Sequence, residues 1–284
     1  MSDARFQDGE LEFCMVDAVI ELAYERGISR GVDGIPFEDV VKCAGVPMTK
    51  AKSRWKGRRH QLYWDALEQL SQRIDLPYPD EESLIGDAVE LIQEHAGVLG
   101  DRQIRRDLAV ELIRASVMED VRLLHASEEW CAFRMLLKAK DAIDDAKLRA
   151  SIITKLTQVF EESMKERGRT YAAFADLFGF RLVRPLSGPD GFETLAQSVS
   201  VSLLGLLSME EVGQQALFDT FPLRAFGSSN TAEWSRASII VATSIFSHIE
   251  QRPTEKWTDQ RIVDFMNSVN RLSGGVSESV GHAR

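Results

Sequence analysis

Lys42, Lys50, Lys52, Arg54, Lys56, Arg58 and Arg59 crowd between positions 42 and 59 of this chain, and no Asp or Glu lies among them. What seven cations without interspersed acid can do is hold phosphate oxygens. The chain as a whole is acidic, with 44 Asp and Glu against 34 Lys and Arg and a net charge of −10. Residues 1–64 balance at ten of each sign, and every acid in that stretch precedes position 40. All the excess acid therefore lies C-terminal to the cations. Net charge repels a polyanion at long range, but contact is decided by the field within a Debye length, ~8 Å at physiological salt. A surface that is merely soluble mixes its signs, as the rest of this chain does. A block of one sign points to a nucleic acid rather than to a solvated face.

The elements that must position these cations are helices. Val16, Val19, Ile20 and Ala23 mark one stripe of a helix over 10–26, and Gly27 follows it. "PFEDVVKCA" reads as a short helix opened by Pro36 and broken by Gly45. "PMTKAKSRW" reads as a second short helix, broken again at "KG". From Arg58 a longer helix carries Tyr63, Ala66, Leu67, Leu70 and Ile74 on one side. Two short helices about a Gly turn form a helix-turn-helix pattern. At ~100° per residue the second helix puts Met48, Ala51 and Trp55 on one face and Thr49, Lys50, Ser53 and Arg54 on the other. That outer face suits a major groove. Lys52 flanks the inner face, within reach of a phosphate. Lys56, Arg58 and Arg59 stand at the next turn and the next helix N-terminus, where backbone N–H groups favour an anion.

Beyond "DLPYPDE" at 75–81 the helical period continues at about 82–96, 102–125, 128–147, 148–167, 170–178, 190–208, 210–219, 231–251 and 257–272. No strand alternation is convincing, and only Phe180 to Val183 could be extended. The expected fold is all-α. Residues 1–76 are expected to form a helix-turn-helix DNA-binding domain and 77–284 a larger helical domain, with 272–284 expected to be a disordered tail. Two late helices are apolar on more than one side. In 190–208 the stripe Phe192, Leu195, Val199, Leu203 and Leu206 is joined by Val201, Leu204 and Leu207. In 231–251 the stripe Trp234, Ala237, Val241, Ile245 and Ile249 is joined by Ile239, Ile240 and Phe246. Such helices need cover on two sides, either inside one core or at a homodimer interface.

The first 70 residues resemble the TetR family of transcriptional regulators. The resemblance rests on "GIPFEDVVKCAGVPMTKAKSRWKGRRHQL", with Ile35, Val40, Ala44, Gly45, Val46, Trp55 and Leu62 in register. Pro47 stands where that family commonly has a capping Ser, Lys52 where it has a Tyr, and one extra residue lies between Trp55 and Leu62. The resemblance implies a homodimer on a double-stranded, palindromic DNA operator, released by a small-molecule effector. It also implies a ligand pocket among the central helices, for which Met118, His125, Trp130, Phe133 and Arg134 are candidates.

Other chemistry finds little footing. His60, His95, His125, His248 and His282 form no Glu-x-x-His or His-x-x-x-His pair. No phosphate loop, dinucleotide fingerprint or nucleophile elbow occurs, so neither an enzyme nor a metal or cofactor is expected. Asp144-Asp145 and Glu161-Glu162 read as solvated pairs. "VELIQEHAGVLGDRQIRRDLAVEL" repeats the "AGV" turn with Arg102, Arg105 and Arg106 after it, but acids mingle with those bases and it reads as an ordinary interhelical turn. Cys14, Cys43 and Cys131 are odd in number and far apart, which fits reduced thiols in a cytoplasmic protein. The acidic N-terminus is unlike a signal peptide, and no run of about 18 apolar residues occurs, so no membrane span is expected. The expected function is that of a ligand-responsive DNA-binding regulator, a repressor by this reading. The alternative is an all-α binding module of the same architecture without sequence-specific DNA recognition.

Overall fold

The computed structural model describes residues 8–26, 34–74, 76, 91–210, 213, 215–253 and 256–279, with side chains for all of these but 8, 125, 210, 215 and 270–279. Helices dominate it: α1 (Asp8–Arg26), α2 (Phe37–Cys43), α3 (Met48–Arg54), α4 (Arg59–Arg73), α5 (Arg102–Ala126), α6 (Glu128–Ala139), α7 (Ala146–Leu177), α8 (Gly191–Glu210), α9 (Arg236–Phe246) and α10 (Asp259–Ser279). Most of the helix expected at 82–96 falls outside the described residues.

The chain forms two compact units, residues 1–76 with 126–161, and 77–125 with 162–284. Residues 126–161, however, cluster with the N-terminal helices rather than with the larger domain. The reason is apolar cover. Trp130, Phe133, Met135 and Leu136 are buried on α6, which packs on α4 and α1.

In the first unit α1 packs against α2 and α4, and α2 against α3. Met15, Val40, Ala51 and Leu62 are fully buried. Tyr63 of α4 donates its hydroxyl to the Ile35 carbonyl at 2.6 Å, tying that helix to the start of α2. Gly45 (φ 65°) and Gly57 (φ 71°) make the turns on either side of α3, in the left-handed region that costs other residues energy.

In the second unit one core gathers Leu99, Leu108, Phe178, Phe180 and Phe265, with Trp257 packed against it. A second core centres on Trp234, buried with Val110 and Ala242 and covered by Phe226 and Phe246. Arg167 and Asp120 form a buried ion pair at 3.2 Å, and burial pushes the phenol of neighbouring Tyr171 up to about 12. On α8 and α9, which pack together, Leu195, Val199, Leu203, Ala237 and Val241 are buried, while Val201 is 61% and Ile240 45% exposed. Segment Gly191–Met209 is long and apolar enough by length and composition to cross a membrane, a test that core helices also pass.

Several boundaries correct the reading from periodicity. The helix expected over 128–147 stops at Ala139, and Asp145 opens α7 by accepting the N–H groups of Lys147 and Leu148. The helices expected at 148–167 and 170–178 are one, because Gly168 does not break α7 but lets the Glu193 backbone approach. A Cβ there would lie 2.9 Å from the Glu193 Cα and N. At 210–219 the described residues hold the last residue of α8, Glu210, and a 3-10 turn at Gln215–Leu217 in place of a separate helix. The 231–251 helix is strand β3 (Ala232–Ser235), α9 and strand β4 (Ile249–Gln251) in turn. Ser235 and Ser238 form a reciprocal capping box that starts α9 late. Two small antiparallel ribbons thus depart from a purely α fold. β1 (Phe180–Leu182) pairs with β4, Arg181 opposite Glu250, and β2 (Thr220–Leu223) pairs with β3, Phe221 opposite Trp234. The expected tail from 272 is helical as far as Ser279.

The β2–β3 connection is fastened to α5. Phe226 sits at φ 53° and its carbonyl accepts from the Arg106 Nε, while buried Asp107 accepts from the Ser229 hydroxyl, from the Ser229 N–H at 2.8 Å and from Gln103 at 2.8 Å. Burial alone would raise the Asp107 carboxyl, but these bonds outweigh it and hold it below its ordinary 3.8. A depressed folded-state value means stability that is present above the unfolded value and lost as pH falls through the folded one. Asp107→Asn is expected to cost about 1–3 kcal/mol in urea unfolding at pH 7. The gap from the parent protein should close as the pH drops below the ordinary 3.8.

Candidate nucleic-acid interface

Helix α3 has seven residues, too few to hold a helix in water on their own. What holds it is its inner face. Ala51 is fully buried and Trp55 is 4% exposed, while Met48 at the helix start is only half-buried. Pro47 precedes the helix in an extended conformation with no side-chain cap. The Trp55 N–H closes the last turn onto the Ala51 carbonyl at 3.1 Å, and Arg58 closes the next onto the Trp55 carbonyl at 3.0 Å.

On the outer side Thr49, Lys52 and Ser53 are exposed and Lys50 is half-exposed. Lys56, Arg58 and Arg59 continue the exposed cationic surface through the Gly57 turn into α4. The Arg59 guanidinium lies 4.6 Å from the Phe37 ring centre while the residue stays exposed. Arg58 stands at the N-cap of α4 without a side-chain cap. The N–H groups of that first turn and the Arg58 and Arg59 charges lie together, the combination that attracts an oxyanion.

Arg54 is placed differently from its neighbours. It is half-buried and forms an ion pair with Glu12 of α1, its Nε donating at 2.7 Å. Its guanidinium carbon is 5.7 Å from the Trp55 ring centre. An arginine that the helical wheel puts on the outer face is thus drawn back towards α1. Glu12 was not singled out from the sequence, where 42 residues separate it from Arg54. Two further acids of the N-terminal helices are also engaged: Asp39 takes Arg26 at 2.5 Å and Asp17 takes Arg73 at 3.3 Å.

The residues suggested for a ligand pocket divide between the two units. Trp130, Phe133 and Arg134 belong to the first, where Trp130 meets Phe133 edge-on at 5.7 Å and Phe133 stacks on Phe160 at 6.1 Å. Trp130 and Phe133 are core aromatics, 3% and 4% exposed. Met118 belongs to the second unit and accepts a hydrogen bond from Arg114 at 3.2 Å, and the His125 side chain lies outside the described residues. The open clefts lie elsewhere in the second unit. One, of about 680 Å³, borders β1 and the start of α8 and is lined by Phe180, Arg184, Phe192 and Arg252 among others. Another, of about 630 Å³, lies between the start of α5 and β4. Among the described residues no three His, Cys, Asp or Glu are grouped to hold a metal ion.

Comparisons with protein-family models, with curated proteins and with solved structures find no match to this chain. What the first unit can do chemically therefore rests on its geometry: an apolar hinge at Ala51 and Trp55 carrying an outward surface of cations and hydroxyls. Separate substitutions can tell the hinge from the surface. Trp55→Ala is expected to destabilise by about 3–5 kcal/mol. Lys52→Ala should stay within about 0.5 kcal/mol of the parent protein, both read from urea unfolding of the full chain.

Proposed function

We propose that the chain is a DNA-binding transcriptional regulator of TetR-like organisation. The observation that carries the reading is the cationic surface of Thr49, Lys50, Lys52, Ser53, Lys56, Arg58 and Arg59, free of interspersed acid and hung on a buried Ala51–Trp55 face. In this reading α2 and α3 form a helix-turn-helix and α3 enters the major groove. Thr49, Lys50 and Ser53 meet base edges, while Lys52, Lys56, Arg58 and Arg59 hold the backbone phosphates on either side.

A homodimer would place two such helices about one DNA turn apart, ~34–36 Å, on a palindromic operator. Val201 and Ile240, exposed on the paired α8 and α9, support these helices as the dimer surface. An effector bound in the second unit would act by preferring a subunit geometry with the wrong spacing, and only to the extent that it binds the two geometries unequally. The reading is that of a repressor.

The Arg54–Glu12 pair favours a second reading. With its arginine held back, α3 could grip phosphates without reading bases, and the protein would be a helical binding module that lacks sequence-specific DNA recognition. Selection from random duplexes separates the two. A palindromic consensus supports the regulator, salt-sensitive binding without a consensus supports a small-molecule or protein-binding module that keeps only the architecture, and no duplex binding at low salt refutes the regulator. Replacing Lys56 and Arg58 by Ala is expected to lower the slope of log affinity against log salt by about two. Val201→Glu with Ile240→Glu is expected to give monomers in sedimentation experiments without loss of helix content.

A further inference from the structure

Arg106, in the second turn of α5, is a half-buried cation whose partners are all neutral. Its Nε donates to the Phe226 carbonyl at 2.7 Å, and its guanidinium carbon lies 4.7 Å from the Phe246 ring centre and 5.9 Å from that of Phe180. Among the described residues no carboxylate lies within ion-pairing distance of it. Other arginines of this unit differ: Arg114 has Glu111, Arg167 has Asp120, Arg181 has Glu250 and Arg252 has Asp176. The adjacent acid, Asp107, is turned to Ser229 and Gln103. The charged group nearest in kind is a second cation, Arg102, one helical turn earlier. Burial and Arg102 together pull the Arg106 guanidinium below its ordinary value, as an uncompensated charge requires.

Both arginines line the cleft of about 630 Å³ between the start of α5 and β4. Its two acids are engaged elsewhere. Asp101 accepts the Gln103 N–H at 2.6 Å and so caps α5, and Glu250 takes both Arg181 donors at 2.8 and 2.6 Å. Gln251 orients Arg102, accepting from its Nε at 2.7 Å and donating to its carbonyl at 3.2 Å. A planar guanidinium set against two rings and a second fixed by an amide give a pre-set fork for oxygen atoms.

We propose that Arg102 and Arg106 form a receptor for a small oxyanion, a phosphate or a carboxylate, in this cleft. The anion supplies the countercharge that the fold leaves out, and it joins α5 to the β4 ribbon. The site uses none of the cations assigned to DNA and stands independently of that assignment.

Isothermal titration of the full chain at constant ionic strength tests it, with inorganic phosphate in one arm, citrate in another and sodium chloride as the reference. Saturable binding of phosphate, of citrate or of both is expected, and which arm binds identifies the source of the oxygens. Arg102→Glu, at an exposed position, should weaken that binding by about tenfold or more with helix content unchanged. Arg106→Lys keeps the charge, loses the fork and should weaken it by a similar factor. Arg169→Glu, on an exposed pair with Glu166, should leave it unchanged. No saturable binding in either arm overturns the proposal, and so does binding that Arg102→Glu leaves intact.

Discussion

Burial of Ala51 and Trp55 is the interaction on which the rest of the first unit's surface depends. A seven-residue helix with no side-chain cap and four basic or hydroxylic residues facing out has no stability of its own. It exists because an indole and a methyl group leave water against the rest of the unit, a gain of about 1.5–3 kcal/mol for each large apolar side chain. Once the inner face is fixed, the 3.6-residue period dictates that Thr49 and Ser53 face solvent. Gly45 and Gly57, with φ of 65° and 71°, then set where the helix starts and stops. The cationic surface is thus a geometric consequence of apolar packing.

Charge is handled differently in the two units. In the first, acid is kept off the outward face of α3 but brought up behind it, where Glu12 holds Arg54. Such a half-exposed pair contributes little stability, ~0–1 kcal/mol. Its larger effect is on position, since it removes one guanidinium from the surface and leaves Lys50 as the cation at the centre of the outer face. In the second unit the structure pairs Arg114, Arg167, Arg181 and Arg252 with carboxylates and leaves Arg106 with aromatic faces and a carbonyl. Among the described residues, no carboxylate of this acidic chain pairs with that cation.

Much of this was legible in the sequence, and what was not has physical causes. Helices α1 to α4 were readable because glycines and prolines punctuate them and their apolar residues keep a clear period. The inward residues Leu195, Val199 and Leu203 of α8 and Ala237 and Val241 of α9 were readable for the same reason, while Val201 and Ile240 emerge on the outside and Leu207 is buried. The ribbons were not readable. Strands of three or four residues, such as Phe180–Leu182, are too short to show alternation, and β3 runs straight into α9 through the Ser235 cap. Gly168 looked like a helix end but is a point of close approach to Glu193. The Arg54–Glu12 pair and the clamp on Arg106 join residues 42 and 120 positions apart, and no local pattern encodes them. The grouping of residues 126–161 with the N-terminal helices was hidden likewise, because an apolar face does not say which partner covers it.

Hydrogen exchange of the full chain, with and without a random-sequence duplex at low salt, tests the central claim most directly. The account predicts new protection concentrated in α3 and the first turn of α4, over residues 47–61. Protection elsewhere with none in that segment, or no change on adding duplex, would contradict it.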